Sequence, residues 1–161
     1  MHKILVASDS HGSAYALCRV AGAELDAEAM IFLGDGLRDL EKLQQSYPRL
    51  RVYSVRGNCD YAAFEPAEGL ASFGGMLFFY THGDRYGVKY SRHRLAETAR
   101  ARGADAALYG HTHLARCETI GGVTVFGPGS VGEPRGGTAS YGVILIENER
   151  PRFEHRAVPA E

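Results

Sequence analysis

The chain has 161 residues, 45% hydrophobic and 23% charged, which is ordinary for a globular protein with a sizeable core. Its formal net charge of −1 argues against the broad basic field of a dedicated binder of long nucleic acids. No apolar run approaches the roughly 20 residues of a membrane-spanning helix.

Residues 3–7 (KILVA) form a short apolar run suited to a buried strand. Residues 13–25 carry Leu17, Val20 and Ala21 on one helical face, with Ser13 placed to cap the N-terminus. A second strand is predicted over 29–33 (AMIFL). A short helix over 37–45 follows, with Leu37, Leu40 and Leu43 at helical spacing and a stop before Pro48. A third strand covers 51–55 (RVYSV). Residues 70–73 and 76–81 read as a hairpin around Gly74-Gly75. An amphipathic helix over 91–102 ends at Gly103, and 106–109 is a short strand. A second hairpin joins 115–120 to 123–126 through Gly121-Gly122. Strands over 141–147 and 152–157 flank Asn148-Glu149-Arg150.

No repeat, low-complexity tract or linker divides the chain, so one domain over 1–161 is expected. Early βαβ units followed by hairpins predict an α/β fold of two packed mixed sheets with helices outside. Cys18, Cys59 and Cys117 are too few and too scattered for a disulfide framework or zinc ribbon. The opening MHKILVASDSHG lacks the features of a signal peptide, and a cytoplasmic location is expected.

The chemistry-bearing residues share a placement. Asp9 and His11 follow KILVAS, Asp35 follows MIFLG, and Asn58 follows VYSVRG. His82 follows MLFFYT, while His111 and His113 follow ALYG. Each stands just past the C-terminal end of a predicted strand, the edge where α/β folds build sites. Four imidazoles, two carboxylates and one amide oxygen make a mixed N/O donor set. Such a set suits Mn, Fe, Zn, Ni or Co better than Ca or Mg. Seven ligands exceed one tetrahedral zinc and suit two divalent ions sharing a bridging carboxylate. Gly34, Gly57, Gly83 and Gly110 are expected to let the backbone bend beside these ligands. His2, His93 and His155 lack such a setting and read as surface or structural residues.

The series Asp9-Ser10-His11, Gly34-Asp35, Gly57-Asn58-Cys59-Asp60, Thr81-His82-Gly83 and Gly110-His111-Thr112-His113 resembles the calcineurin-like metallophosphoesterases. Pro128-Gly129-Ser130-Val131 with Pro134-Arg135 resembles the small YfcE-type phosphodiesterase branch of that superfamily. The resemblance implies a four-layer αββα sandwich. It implies one metal on Asp9, His11, Asp35 and His113 and a second on Asp35, Asn58, His82 and His111. Asp35 bridges the two, and Asp35, Asn58 and His82 are implied to be catalytic. The implied activity is hydrolysis of phosphodiester, and also phosphomonoester, bonds by a bridging hydroxide, with manganese as the preferred metal. Nickel, cobalt, zinc and iron are alternatives.

Three positions depart from the wider superfamily pattern. Cys59 stands where many members place a histidine thought to assist the leaving group, although the small branch commonly has cysteine there. Asp84 replaces a histidine common in His-Gly-His, and Gly127 an asparagine common before Pro-Gly-Ser. Cys59, Asp60, Asp84 and Arg135 are candidates for supporting the ligands or touching substrate. Arg56, Arg85 and Lys89 are further cations able to meet phosphate. The expected partner is a small phosphate ester, with no membrane and no dedicated nucleic-acid surface; a homodimer or higher homo-oligomer is in keeping with the branch. The alternative is a non-catalytic protein-interaction scaffold resembling the retromer subunit of the same fold, disfavoured by the completeness of the seven ligands.

Overall fold

A computed structural model describes residues 1–160. Ten strands form two five-stranded mixed sheets. The first has the order β10-β9-β1-β2-β3, from Arg150–Ala157, Ser140–Glu147, His2–Ala7, Ala29–Phe32 and Arg51–Ser54. The second has the order β4-β5-β6-β8-β7, from Glu68–Phe73, Met76–Thr81, Ala106–Tyr109, Val123–Pro128 and Ala115–Ile120. Helices α1 (Ala14–Ala23) and α2 (Asp39–Ser46) cover the first sheet, and α3 (His93–Ala101) covers the second.

Side-chain alternation produces the layers. Ile4 and Val6 of β1 join Ile31, Phe78, Leu108, Phe126 and Ile144 in the core between the sheets. Leu5 and Ala7 face the other way, against Leu17 and Val20 of α1 and Leu40 and Leu43 of α2. On the far side, Phe79, Ala107 and Tyr109 pack on Leu95, Ala96 and Ala99 of α3. The central strands are covered on both faces, hence their continuous apolar runs. The four-layer αββα sandwich is therefore present.

Several expected boundaries move. Ser13 occupies the N-cap of α1 but makes no side-chain capping bond. Helix α2 starts at Asp39, leaving Leu37 in the preceding turn. The last hairpin turns on Asn148 and Glu149 alone, both left-handed at φ 53° and 58°, so β10 begins at Arg150. A single 3-10 turn over Asp84–Tyr86 was not expected. No helix among the described residues is long and apolar enough to cross a membrane.

One buried ionic cluster ties α1 to the first sheet. Glu24, only 5% exposed, accepts from Tyr141 Oη at 2.9 Å and from Arg156 Nη1 at 2.7 and 2.8 Å. Lys3 Nζ lies 2.7 Å from the same carboxylate. Burial alone would raise the Glu24 carboxyl, but the hydrogen bonds from Lys3, Tyr141 and Arg156 outweigh it and hold it below its ordinary value. The unfolded state then binds that proton more readily. The cluster's contribution is fully present above the unfolded carboxyl's pKa and is lost as pH falls through the folded one. Glu24→Gln is expected to cost about 2 kcal/mol at neutral pH, below the range for a fully buried pair because Arg156 is partly exposed. Urea unfolding across pH checks this: the gap between parent and variant should close in acid.

Candidate metal centre

Topology explains why residues distant in sequence meet. Strands β1, β2 and β3 are mutually parallel, as are β5, β6 and β8. All seven predicted ligands follow one of these strands. The loops are stitched together by the backbone: Asp9 N–H donates to Gly34 O at 2.9 Å, and His11 N–H to Asp35 O at 3.0 Å. Gly110 N–H donates to His82 O at 2.9 Å, and Val131 N–H crosses to Ser8 O at 3.1 Å.

Each carboxylate has one anchored and one inward oxygen. Asp9 Oδ2 accepts from Ser8 Oγ and, at 3.0 Å, from His111 N–H. Its Oδ1 lies 3.1 Å from His113 Nε2, 3.5 Å from His11 Nε2 and 3.9 Å from His82 Nε2. Asp35 Oδ1 accepts from Cys59 N–H at 2.8 Å, while Oδ2 lies 3.2 Å from His82 Nε2 and 3.7 Å from His11 Nε2. Two compact donor clusters result, Asp9–His11–His113 and Asp35–His82–His111. Asp35 also joins His11 and Cys59 in a third grouping, so its carboxylate faces both.

The ring orientations are fixed from outside. His82 Nδ1 donates to Leu33 O and His113 Nδ1 to Glu133 O, each at 2.6 Å. A carbonyl only accepts, so Nδ1 carries the proton and Nε2 turns inward with its lone pair. Asp9 Oδ1, His11 Nε2 and His82 Nε2 are buried without a hydrogen-bond partner. Lone pairs facing one another at these distances need a positive charge between them, either a proton or a metal ion. Without metal the protons take that part. Burial pulls His82 down, but Asp35 and Asp9 outweigh it and raise it to about 9. Burial pushes Asp35 up, yet His82 and the other neighbours hold it at about 2. At His113 the Asp9 carboxylate 3.1 Å from Nε2 raises the pKa; at His111 burial, then the charges of His82 and Lys89, lower it.

The backbone is strained where the candidate ligands sit. Asp9, His11, Asp35, His111 and His113 all have φ between 43° and 70°, a region non-glycine residues rarely adopt. The expectation for the neighbouring glycines is thus only partly met. Gly34 and Gly83 are left-handed, whereas Gly57 and Gly110 serve close approach. A Cβ at Gly57 would strike Asp35 Oδ1, and one at Gly110 would strike Ser8 Oγ and crowd Asp9.

The remaining sequence candidates divide. Asp60 accepts from the N–H groups of Asp35, Gly57, Gly36 and Leu37 at 2.7 to 3.1 Å, so it both caps its own turn and positions Asp35. Asn58 is exposed, and its Nδ2 donates to Cys59 Sγ at 3.6 Å. Burial, then the charge of Asp35, raises the Cys59 thiol, which disfavours a thiolate nucleophile. Asp84 is exposed in the 3-10 turn. Arg135 is exposed, with its N–H on His113 O at 3.1 Å. Arg56 is used locally, its Nη1 donating to Glu65 O at 2.7 Å. His155 Nε2 donates to Gly127 O at 2.8 Å and its ring stacks on Phe126, a structural role.

Two positioning groups escaped the sequence reading. Asp39, at the start of α2, accepts from Ser10 Oγ at 2.6 Å and Gly12 N–H at 2.9 Å, fixing the Asp9–His11 loop. Ser130 Oγ donates to Asp9 O at 2.7 Å and accepts from Glu133 N–H at 2.7 Å, so one hydroxyl supports both Asp9 and the carbonyl partner of His113. The Pro-Gly-Ser motif marked the loop but not this bond, and Asp39 reads as an ordinary first-turn acid.

The family model of the calcineurin-like phosphoesterase superfamily domain matches residues 2–149. The probable metallophosphoesterase YsnB of Bacillus subtilis is 34% identical over 149 residues, covering 91% of this chain and 85% of that protein. The phosphodiesterase YfcE of Escherichia coli K12 is 33% identical over 169 residues, covering 89% and 88%. A conserved predicted phosphoesterase from Streptococcus pneumoniae TIGR4 superposes with a TM-score of 0.83 at 26% identity, over 97% of this chain and 89% of that one. Vps29 of Chaetomium thermophilum shares the fold, with a TM-score of 0.74 at 16% identity over 99% and 100% of the two chains. With the family model spanning most of the sequence and two relatives above 30% identity, this chain belongs to the calcineurin-like phosphoesterase superfamily.

Proposed function

We propose that the protein is a metal-dependent phosphodiesterase, also active on phosphomonoesters, whose centre takes two divalent ions. The reading is carried by three buried, unpartnered atoms, Asp9 Oδ1, His11 Nε2 and His82 Nε2: both imidazole nitrogens lie within 3.9 Å of Asp9 Oδ1 and within 3.7 Å of Asp35 Oδ2. Asp9, His11 and His113 would hold one ion; His82, His111 and Asn58 the other; Asp35 would serve both. Such a pair, when bound, would supply a nucleophilic hydroxide near neutral pH and would offset charge on the phosphoryl oxygens. Leu33 O and Glu133 O keep His82 and His113 presenting Nε2, while Asp60 and Asp39 hold the Asp35 and Asp9 loops in register. Cys59 contributes its N–H to Asp35 and leaves the leaving group without a strong acid from that position, which favours esters with good leaving groups. Three free cysteines fit a cytoplasmic setting.

The test is a panel of Mn, Ni, Co, Zn, Fe and Mg added to demetallated protein, with a phosphodiester and a phosphomonoester. Manganese is expected to restore the highest turnover. Metal uptake should release protons and weaken in acid, because His82 must lose its proton to bind. Absence of turnover with every metal would hand the fold to the scaffold reading, which the likeness to Vps29 keeps as the rival.

A further inference from the structure

Beside the His111–His113 loop lies a second concavity, of about 220 Å³. Lys89, Arg92, Arg116 and Arg135 line it, together with Thr112, the residue between the two histidines. The four cations come from the segment after the 3-10 turn, the residue before α3, strand β7 and the loop after β8. The fold, rather than a basic run of sequence, gathers them. Arg92 Nε donates to Glu118 at 2.9 Å, and Arg116 Nε lies 3.6 Å from the same carboxylate. Lys89 and Arg135 form no ion pair among the described residues.

The cleft on the His11 and Asp35 side, of about 650 Å³, has the reverse sign. It is lined by Asp39, Glu41, Asp60 and Glu65, against the single cation Arg38. In a chain with a net charge of −1, the two concavities are unlike in charge. The basic groove is smaller than the roughly 300–1,000 Å³ of whole-ligand pockets, so it suits a group and not an entire substrate. Arg135 offers a planar fork and Lys89 a mobile point charge, a pair that matches a carboxylate or phosphate.

From this asymmetry we infer that the groove is an anion subsite, and that preferred substrates are phosphate esters carrying a second compact anion. The inference rests on the hydrolase reading above and adds an orientation to it. The second anion lies along Thr112 between Lys89 and Arg135, and the uncharged end of the ester points toward the acidic flank.

Matched nitrophenyl phosphodiesters test this on the metal-loaded protein. Their second alcohol carries a carboxylate, on a short or a longer arm, or the corresponding methyl ester. The expected preference for the carboxylate is about tenfold in kcat/KM, the scale of one added charge-assisted contact. It should appear mainly in KM and shrink as salt is raised. In the Lys89→Gln/Arg135→Gln double variant the preference should collapse toward one. No preference in the parent with either arm, or a variant that slows both substrates by the same factor, overturns the inference. Failure to hydrolyse even the methyl ester with any metal counts against the hydrolase reading instead. The subsite is then decided on metal-free protein by NMR. Backbone amides of Thr112 and Arg116 should shift with the carboxylated diester and not with its methyl ester; amides that stay put overturn it.

Discussion

Asp35→Asn should give a folded protein with kcat/KM down on the order of a thousandfold, the scale for losing a group that stabilises transition-state charge. The substitution is nearly isosteric. Asn keeps an oxygen for the Cys59 N–H, so the loop geometry survives. What changes is the inward atom, now an amide nitrogen that cannot ligate, aimed at His82 Nε2 and His11 Nε2. One of the centre's two negative charges is lost, and with it the only carboxylate that joins donor groupings with both His11 and His82 among the described residues. Metal content per chain is expected to fall by at least about one ion, as befits loss of a shared ligand. Activity assays with elemental analysis check the two effects together, and circular dichroism checks the fold. Full activity in the variant would remove Asp35 from the shared position.

The placement of the candidate ligands was legible in the sequence and much of what holds them was not, for a physical reason. Asp9, Asp35, His82 and the paired histidines sit directly after apolar strands, and that linear placement is visible. The parallel order of β1-β2-β3 and of β5-β6-β8 then brings them together. Glu24, Asp39 and Asp60 act across long separations; Glu24 meets Arg156 132 positions away and Asp39 meets Ser10 29 away. An acid at a helix end or in a turn has local explanations of its own, so its distant partners leave no spacing to read. The left-handed backbone of the candidate ligands was also hidden, because the adjacent glycines draw attention to themselves. The structure puts the strain on Asp9, His11, Asp35, His111 and His113 and gives Gly57 and Gly110 the task of making room.

Asp60 shows most clearly how one side chain serves stability and site together. The sequence left turn-capping and support of the centre as alternatives, and the carboxylate does both. One oxygen takes Asp35 N–H at 2.7 Å and Gly57 N–H at 2.8 Å; the other takes Gly36 and Leu37 N–H at 3.0 and 3.1 Å. Asp60→Ala strands four partly buried donors, of which water can reach some, and an unpaired donor costs about 1–3 kcal/mol. A loss of about 3 kcal/mol in urea unfolding of the metal-free protein is therefore expected. The loops after β2 and β3 should drift apart as well, lowering metal affinity by about 10–100-fold in a chelator competition. Asp60→Asn, which keeps one acceptor oxygen, should fall between. Asp84→Ala is the control: its exposed carboxylate bonds to none of these groups, so stability should change by less than about 0.5 kcal/mol. The two measurements separate the two roles. A variant that loses stability but binds metal as before would reduce Asp60 to a turn cap, whereas parallel losses would show that the turn exists to aim Asp35.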